Sequence, residues 1–340
     1  MKRRILRHKF ALGLITALAL ASCSQDELSD GGQGTPLPAG KYSLTLTASS
    51  IGETVATPAT RSTVDNEWSN EQVYVQVYDN YTSGEPQWGN ATMQTYTVAK
   101  GGTMNKTDGN DVYWQASGEK KAIRAWYVGG NTAKTGELPS SHAVNTDQSK
   151  DGYAQSDFLY AGRVSGFSDG KDGVSLQFYH QVAKVKIQIV RGEDTPANFS
   201  VTGLTIGGVA TQGTYAAPTT FVDDDDSHYG TWSVSGQKIE DITPRNANDK
   251  DGQTDSKVLA TYEAIVIPQT VSNGTKLFTI TAEGYDSFVY TTTAEKEWAP
   301  GKEYTYTITI KGDKLEVSVS DGNINWDTDG ATGSGEVELP

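Results

Sequence analysis

The chain has 340 residues, a formal net charge of −14 and a single cysteine. One cysteine excludes a disulfide framework and a zinc site built from several cysteines. The 42 acidic residues against 28 basic ones argue against nucleic acid as a partner, because contacts to the phosphate backbone need clusters of lysine and arginine.

Residues 1–22 have the features of an export signal. Basic residues precede a short apolar stretch at residues 10–21, which is shorter than the roughly 20 apolar residues of a membrane-spanning helix. The stretch ends in Leu20-Ala21-Ser22-Cys23, a pattern typical of bacterial lipoproteins. We expect cleavage before Cys23 and lipidation of that residue by acyl chains such as palmitate, which anchor a protein to a membrane. An ordinary signal peptide followed by a chance cysteine is the alternative.

The residues after Cys23 indicate an exposed tether. Ser24-Gln25-Asp26-Glu27 is acidic and resembles a surface-export signal of bacterial lipoproteins. The following stretch is rich in glycine, serine and proline, a composition typical of flexible linkers. We predict a flexible tether at residues 23–40 and a lipoprotein exposed on the cell outer membrane.

From residue 41 onward, apolar and polar residues alternate with a period of two, which predicts β-strands. Turn dipeptides such as Asn273-Gly274 separate the alternating runs, and many short strands of this kind are typical of antiparallel sandwiches. A loop rich in glycine and aspartate at residues 166–173 divides the body into halves of similar size, so we predict all-β domains at residues 41–173 and 174–340. The clearest alternating residues are Val73, Val75, Val77, Leu176, Phe178, Val185, Ile187, Ile189, Tyr304, Tyr306, Ile308 and Ile310.

The sequence lacks the motifs of catalytic and cofactor sites. His142, His180 and His228 are far apart and do not have the spacing of zinc motifs. His180 shares a predicted strand face with Leu176 and Phe178, so we interpret it as a buried structural histidine. Nucleophile elbows, phosphate-binding loops and dinucleotide motifs are missing. We predict that the protein is not an enzyme and uses no cofactor or metal.

The run of four carboxylates from Asp223 to Asp226 is a candidate calcium site, because calcium prefers oxygen ligands. The odd-numbered spacing and the late glutamate of an EF-hand loop are absent here. We therefore favour a solvated acidic loop.

Several segments, in order along the chain, resemble the fimbrillin family, the pilins of Bacteroides-type bacteria. The resemblance covers most of the chain, and it rests on the order and spacing of the segments more than on any one of them. The matching segments are the lipoprotein pattern, Thr57-Pro58-Ala59-Thr60-Arg61, Trp68 with Val73 to Tyr78, Asp157-Phe158-Leu159-Tyr160-Ala161, Val174 to Ile189, Ile267-Pro268-Gln269-Thr270, Trp298-Ala299-Pro300-Gly301-Lys302 with Tyr304 to Ile308, and Trp326.

The resemblance implies two transthyretin-like antiparallel β-sandwiches in tandem and a structural subunit of cell-surface fimbriae. Such subunits, whether stalk, tip or accessory, polymerise by strand exchange with other pilin subunits and support adhesion. A trypsin-like protease first removes an N-terminal strand. By this resemblance, residues 41–61 are the removable part, with Tyr42, Leu44 and Leu46 facing inward. Arg61 is the cleavage site, followed by Ser62; an ordinary linker arginine is the alternative.

The candidate donor of the exchanged strand is the C-terminal portion, residues 314–340. Two sets of alternating apolar residues occur there: Leu315, Val317 and Val319, and then Val337 and Leu339. For the first set we slightly favour the alternative, an intramolecular strand of the last sandwich. The stretch between the sets is rich in glycine, aspartate and threonine, which suits a hinge.

A second function from another class is a monomeric surface lipoprotein that binds a host glycan or protein ligand. Exposed tryptophans stack on sugars, and the candidates are Trp88, Trp114, Trp126 and Trp232. Buried core positions explain these residues equally well. A monomeric binder has no use for Arg61 or for a C-terminal arm, and these features favour the pilin.

Overall fold

The structure is a computed structural model of the whole chain. It describes residues 34–49, 63–130, 137–219, 228–247, 257–311, 314–316 and 322–326, with the backbone alone at 314–316 and 322–325. Within these ranges, no helix has the length and apolar character needed to cross a membrane.

The prediction of an all-β protein is confirmed, since strands account for most of the regular structure. Alternation of β-branched and aromatic residues with polar ones explains this preference. Helical structure in the described residues comprises α1 (Phe167–Gly170) and three-residue 3-10 turns at Thr63–Asp65, Trp88–Asn90 and Ala154–Ser156. The strands of the first half are β1 (Leu46–Ala48), β2 (Glu71–Tyr78), β3 (Thr92–Val98), β4 (Met104–Gly109), β5 (Lys120–Val128), β6 (Ser141–Ala143), β7 (Phe158–Gly166), β8 (Val174–Leu176) and β9 (Tyr179–His180).

The second half continues in the same way, with longer strands at its centre. Its strands are β10 (Ala183–Arg191), β11 (Val201–Ala210), β12 (Gln212–Ala216), β13 (Thr231–Ser233), β14 (Ile239–Ile242), β15 (Arg245–Asn246), β16 (Val258–Val266), β17 (Gln269–Val271), β18 (Lys276–Ala282), β19 (Phe288–Thr291), β20 (Lys296–Trp298), β21 (Lys302–Lys311), β22 (Lys314–Glu316) and β23 (Gly322–Asn325).

A six-stranded antiparallel sheet in the order β4-β3-β2-β5-β7-β9 is buried on both faces at its centre. One face carries Val73, Val75 and Val77 into a hydrophobic cluster that also receives β1 and β8, here called the first core. The opposite face carries Tyr74 and Trp126 into a larger cluster formed mainly by the second half, here called the second core. Residues on both sides of β2 are therefore hidden from water.

The second core lies between two further sheets. The larger sheet has the order β15-β16-β10-β21, and β22 and β23 both pair with the outer edge of β21. The smaller sheet has the order β14-β11-β18-β19. Alternate residues of β10 and β18, such as Ile187, Ile189, Phe278 and Ile280, are fully buried between them, and each large apolar side chain contributes about 1.5–3 kcal/mol by leaving water.

Three details differ from the sequence-based predictions. The sheets are not purely antiparallel, because β1 pairs with β8 in parallel and β10 pairs with β21 in parallel. The strands β8 and β9 pair with strands of the first half, so the chain changes sheet between His180 and Ala183 instead of at 173/174. Residues 35–37, predicted as tether, are hydrogen-bonded to residues 115–117. The division into two tandem domains stays a prediction.

Candidate functional site

The N-terminal segment, residues 34–49, is inserted between two other parts of the first half. Along one edge, the backbone N–H groups of Leu44 and Ala48 donate to the carbonyl oxygens of Val112 and Gly102, each at 2.8 Å. Along the other edge the segment pairs with β8, where Ser49 N–H donates to the carbonyl of Leu176 at 2.8 Å. The segment therefore fills a slot whose two walls are residues 102–117 and β8.

The apolar side chains of the N-terminal segment complete the first core. Leu44, Leu46 and Ala48 are buried in it, while Thr45 and Thr47 between them are exposed. Tyr42 is half-buried and packs edge-to-face on Phe167, with ring centroids 5.2 Å apart. Regular strand geometry is limited to β1, but the inward alternation extends from Tyr42 to Ala48.

The slot is narrow where Ala48 passes Gly102. A β-carbon at Gly102 would lie 1.9 Å from the carbonyl oxygen of Ala48, and the φ angle of Gly102 is +85°. Only glycine adopts such a backbone angle freely and leaves room for the passing strand. This glycine is thus required by the presence of the N-terminal segment.

A buried ionic cluster holds the wall at residues 112–119 in place. Lys121 is completely buried and contacts the carboxylates of Asp79 and Glu119, the latter at 2.6 Å. The second carboxylate oxygen of Glu119 accepts a hydrogen bond from the backbone N–H of Gln115 at 2.6 Å. The lysine ammonium also lies 5.2 Å from the ring of Trp114. The charged groups of this cluster take no partner from the N-terminal segment.

At the other end of the chain, one edge of β21 carries two short strands. Lys314–Glu316 pairs with the end of β21, with Leu315 opposite Ile310, and Gly322–Asn325 pairs with its beginning. The C-terminal part of the chain leaves this edge at Trp326, which is buried.

The His180 cluster, formed by Asn66, Asp157, His180 and Trp326, joins the chain near residue 63 to its C-terminal part. His180 is fully buried, with Nδ1 2.8 Å from Asp157 Oδ1 and Nε2 3.0 Å from Asn66 Oδ1. The amide of Asn66 donates to the carbonyl of Trp326 at 3.2 Å. Asn66 thus contacts both the histidine and the point where the C-terminal part begins.

A second buried ionic network lies beside this cluster. Arg245 bridges Asp65, at 3.2 Å, and Glu263, while Lys184 lies 3.0 Å from Glu303 and 3.7 Å from Glu263. Burial alone would raise the pKa of Glu263, but the charges of Lys184 and Arg245, with a hydrogen bond from Arg245, lower it to about 2. The ion pair with Arg245 thus binds Asp65 to the second half. The chain from Thr63 to Asn66 is fixed by this pair, by the burial of Thr63 and Val64 and by the contact of Asn66 with His180.

The structure places some of the predicted site residues and not others. Tyr42, Leu44 and Leu46 line the slot from within, and Leu315 lies in β22. The remaining predictions fall outside the described residues: Cys23, Arg61, Ser62, Val317, Val319, Val337, Leu339 and the run from Asp223 to Asp226.

The sequence gives no sign that Lys121 and Asn66 are important, and Asp157 stands out only as part of a segment that resembles the family. Their roles depend on contacts between residues distant in sequence, 42 positions apart for Lys121 and Asp79 and 114 for Asn66 and His180. Trp326 was noted for its family resemblance, but its contact with His180 has no signal in the sequence.

The four tryptophans proposed as candidates for glycan binding are engaged in packing. Trp114 and Trp126 are 1% and 2% exposed, which leaves no ring face for a sugar. Trp88 is stacked against the guanidinium of Arg124 at 4.2 Å, and Trp232 packs against Tyr215. Among the described residues, no three histidine, cysteine or acidic side chains are placed to hold a metal ion.

Comparisons with known proteins agree with this architecture. The sequence model of a family described as fimbrillin-like matches residues 60–326. A candidate fimbrium subunit of Bacteroides uniformis, Fim1C, is 24% identical over 317 residues, which cover 90% of this chain and 91% of that protein. The crystal structure of a candidate cell adhesion protein from Bacteroides uniformis is 19% identical, with a TM-score of 0.54, over 85% of this chain and all of that one. A similar protein from Bacteroides ovatus is 15% identical, with a TM-score of 0.53, over 84% of this chain and 96% of that one. At these identities, the similarity to the two crystal structures shows the fold alone.

Proposed function

The chain belongs to the fimbrillin-like family, and we propose that it is a structural subunit of cell-surface fimbriae that polymerises by strand exchange. In this proposal a protease removes the N-terminal segment, and a strand from another subunit enters the vacated slot. The observation that carries the proposal is the way residues 34–49 lie in the first half, hydrogen-bonded along both edges and buried through Leu44, Leu46 and Ala48.

Removal of the N-terminal segment would expose both polar and apolar groups. The carbonyls of Gly102, Val112 and Leu176 would lose their hydrogen-bond donors, and buried backbone groups without partners are unfavourable. Trp114, Val174 and Leu176 would face an empty groove. A strand from another subunit restores both kinds of contact by β-augmentation, and repetition of this head-to-tail contact gives an open filament.

The proposed cleavage after Arg61 suits the contacts of the residues that follow. Thr63 and Val64 are buried, Asp65 is paired with Arg245 and Asn66 with His180. A chain that begins at Ser62 would therefore keep all these contacts while it loses the segment that fills the slot. We assign the cut to a trypsin-like protease because the bond follows an arginine.

The donor we propose is the C-terminal part beyond Trp326, with Val337 and Leu339 as the inward-facing residues. Lys314–Glu316 is already paired with β21, so donation by Leu315, Val317 and Val319 would first require that this pairing be broken. We further propose two transthyretin-like sandwiches in tandem, corresponding to the two cores. Before the cut, lipidated Cys23 would hold the subunit at the outer membrane; after it, the subunit would be part of a fimbrium that supports adhesion.

The proposal is tested on fimbriae purified from the native host. Amino-terminal sequencing of the polymerised subunit should give Ser62 as the first residue. Arg61→Ala should block both cleavage and assembly, while the matched variant Arg61→Lys should remain a substrate for a trypsin-like protease. Purified protein trimmed by trypsin should form ladders on unheated gels. Polymer whose subunits still begin at lipidated Cys23 would refute the proposal.

A further inference from the structure

A cleft of about 310 Å³ opens at the end of the N-terminal segment. Its walls come from the last described residue of that segment, from β7, from β8 and the residues after it, and from His228. The lining residues are Ser49, Gly162, Arg163, Ser175, Gln177, Tyr179 and His228. The cleft is thus continuous with the slot that we propose to exchange strands.

Arg163 is the arginine of this cleft, and its charge is uncompensated by any carboxylate among the described residues. Its guanidinium is exposed and donates one hydrogen bond, from Nη1 to the carbonyl oxygen of Ser175 at 2.9 Å. Ser175 lies opposite Thr47 in the parallel pairing of β1 with β8. The positive charge therefore lies at the level of Thr47, on the far side of one strand.

The N-terminal segment does not use this charge. Its residues near the cleft, Thr45, Thr47 and Ser49, are uncharged. The C-terminal stretch of the same chain has the same alternation of apolar residues, but with acidic residues between them: Glu336, Val337, Glu338, Leu339. The two candidate occupants of the slot thus differ in charge on the side that faces water.

The alternation sets how the C-terminal stretch would lie if it ran in the direction of β1. With Val337 in the place of Leu46 and Leu339 in the place of Ala48, Glu338 takes the place of Thr47. That position is opposite Ser175, whose carbonyl already accepts a hydrogen bond from Arg163. Arginine and glutamate side chains are long enough to meet across the small exposed side chain of Ser175.

We propose that Arg163 is a specificity-determining residue of the slot, which pairs with Glu338 of a second copy of this chain and so favours the C-terminal stretch over the N-terminal segment. This inference rests on the proposed strand exchange. Because the chain carries a net charge of −14, an acidic strand is repelled as it approaches, and a local positive charge mainly raises the rate of correct encounter. The pair also fixes the register, since a shift by one residue brings an apolar side chain to Arg163.

The test is a charge exchange in the chain cut between Arg61 and Ser62 by a protease other than trypsin, through a recognition sequence inserted there, because Glu338→Arg would create a trypsin site in the donor stretch. Ladder formation is followed over time. Arg163→Glu and Glu338→Arg should each slow laddering by about two- to fivefold, as expected for an exposed pair, and the double variant should recover most of the rate. Lys276→Glu, the matched reversal of an exposed lysine in β18, should leave the rate unchanged. Higher salt should reduce the difference between the wild type and the single variants.

The failure of this inference is distinguishable from the failure of strand exchange. Val337→Asp places a charge in the proposed core-facing position and should abolish laddering. If it does so while the charge variants have no effect, or while the double variant is no faster than the singles, strand exchange stands and the role of Arg163 is refuted. If Val337→Asp ladders normally, the C-terminal stretch is not the donor and the role of Arg163 falls with it, whereas strand exchange itself is refuted only if the trimmed wild type forms no ladder. Should Arg163→Glu not fold, the neutral variants Arg163→Gln and Glu338→Gln replace it. Each should slow laddering, and the double variant should be no slower than either single variant, whereas additive effects would refute the pair.

Discussion

The imidazole of His180 and the indole of Trp326 are stacked almost in parallel, with ring centroids 3.5 Å apart and an interplanar angle of 6°. The backbone N–H of Trp326 also donates to the carbonyl of Gly301 at 2.8 Å. Through these contacts the last described residue of the chain is held against His180 and Gly301, beside Asn66.

Trp326→Ala should lower the free energy of unfolding by about 3–5 kcal/mol, as large-to-small changes of buried aromatics do. The reason is that Trp326 is 3% exposed and supports both His180 and Asn66. Urea denaturation monitored by circular dichroism measures the change. Trp88→Ala, at a partly exposed tryptophan, is the control and should have a smaller effect; equal losses for the two variants would contradict the importance of the stack.

Lys121→Met should lower the free energy of unfolding by about 3–5 kcal/mol, because it leaves the completely buried Glu119 without its ammonium partner. The double variant Lys121→Met/Glu119→Gln should be more stable than the single variant, since the uncompensated charge is then gone. Thermal and urea unfolding of the three proteins provides the comparison. An additive double variant would show that the two residues act independently.

Acid should weaken the protein partly through Glu263. Its pKa falls from an ordinary value of 4.5 to about 2 in the folded chain, so its ionised form contributes stability above pH 4.5, and this contribution is lost as the pH falls towards 2. Unfolding free energies measured from pH 6 to pH 2.5 should show a shallower decline for Glu263→Gln than for the wild type. Glu297→Gln, at an exposed glutamate, should retain the wild-type slope.

Leu46→Ala should destabilise the uncut chain by about 2–5 kcal/mol, the usual cost of truncating a buried leucine. After the proposed cleavage the residue has left the protein, so the trimmed wild type and the trimmed variant should unfold identically. Val75→Ala, a truncation in the same core but in a strand that stays, should weaken both forms. If Leu46→Ala also weakened the trimmed form, the N-terminal segment would have remained bound.

Gly102→Ala should loosen the N-terminal segment selectively. The added methyl group meets the carbonyl of Ala48, whereas in the trimmed chain only the strain of the positive φ angle remains. We therefore expect faster hydrogen exchange at residues 44–49 in the uncut variant. The control is Gly101→Ala, which has a similar φ angle but open space around it and should leave the exchange of the segment unchanged.

Alternation along the chain was sufficient to predict the strands and the inward residues of β2, since Val73, Val75 and Val77 need one buried face. It could not predict that Tyr74, on the other face, is also buried, because this face belongs to a cluster formed mainly by the second half of the chain. A period of two describes one strand and says nothing of what lies over it.

The candidate site likewise contains residues that alternation predicts and residues that only the fold brings together. Leu44 and Leu46 were found by their alternation, because the slot needs apolar side chains at every second position. Lys121 could not be predicted as buried, since two consecutive lysines after a glutamate are typical of a solvated stretch until the fold brings Asp79 and Trp114 to the second of them. Pairs of this kind are defined by tertiary contacts and leave no periodic trace.

The position of Trp326 has a mechanical consequence. Trp326 directly follows β23, on its C-terminal side. A force that pulls on the C-terminal side therefore acts first on the indole stack with His180, on the backbone hydrogen bond from Trp326 to Gly301 and on the hydrogen bond from Asn66. The hydrogen bonds between β23 and β21 bear force only after those contacts have yielded. A pulling experiment from the C-terminus should therefore record an early rupture event that Trp326→Ala removes.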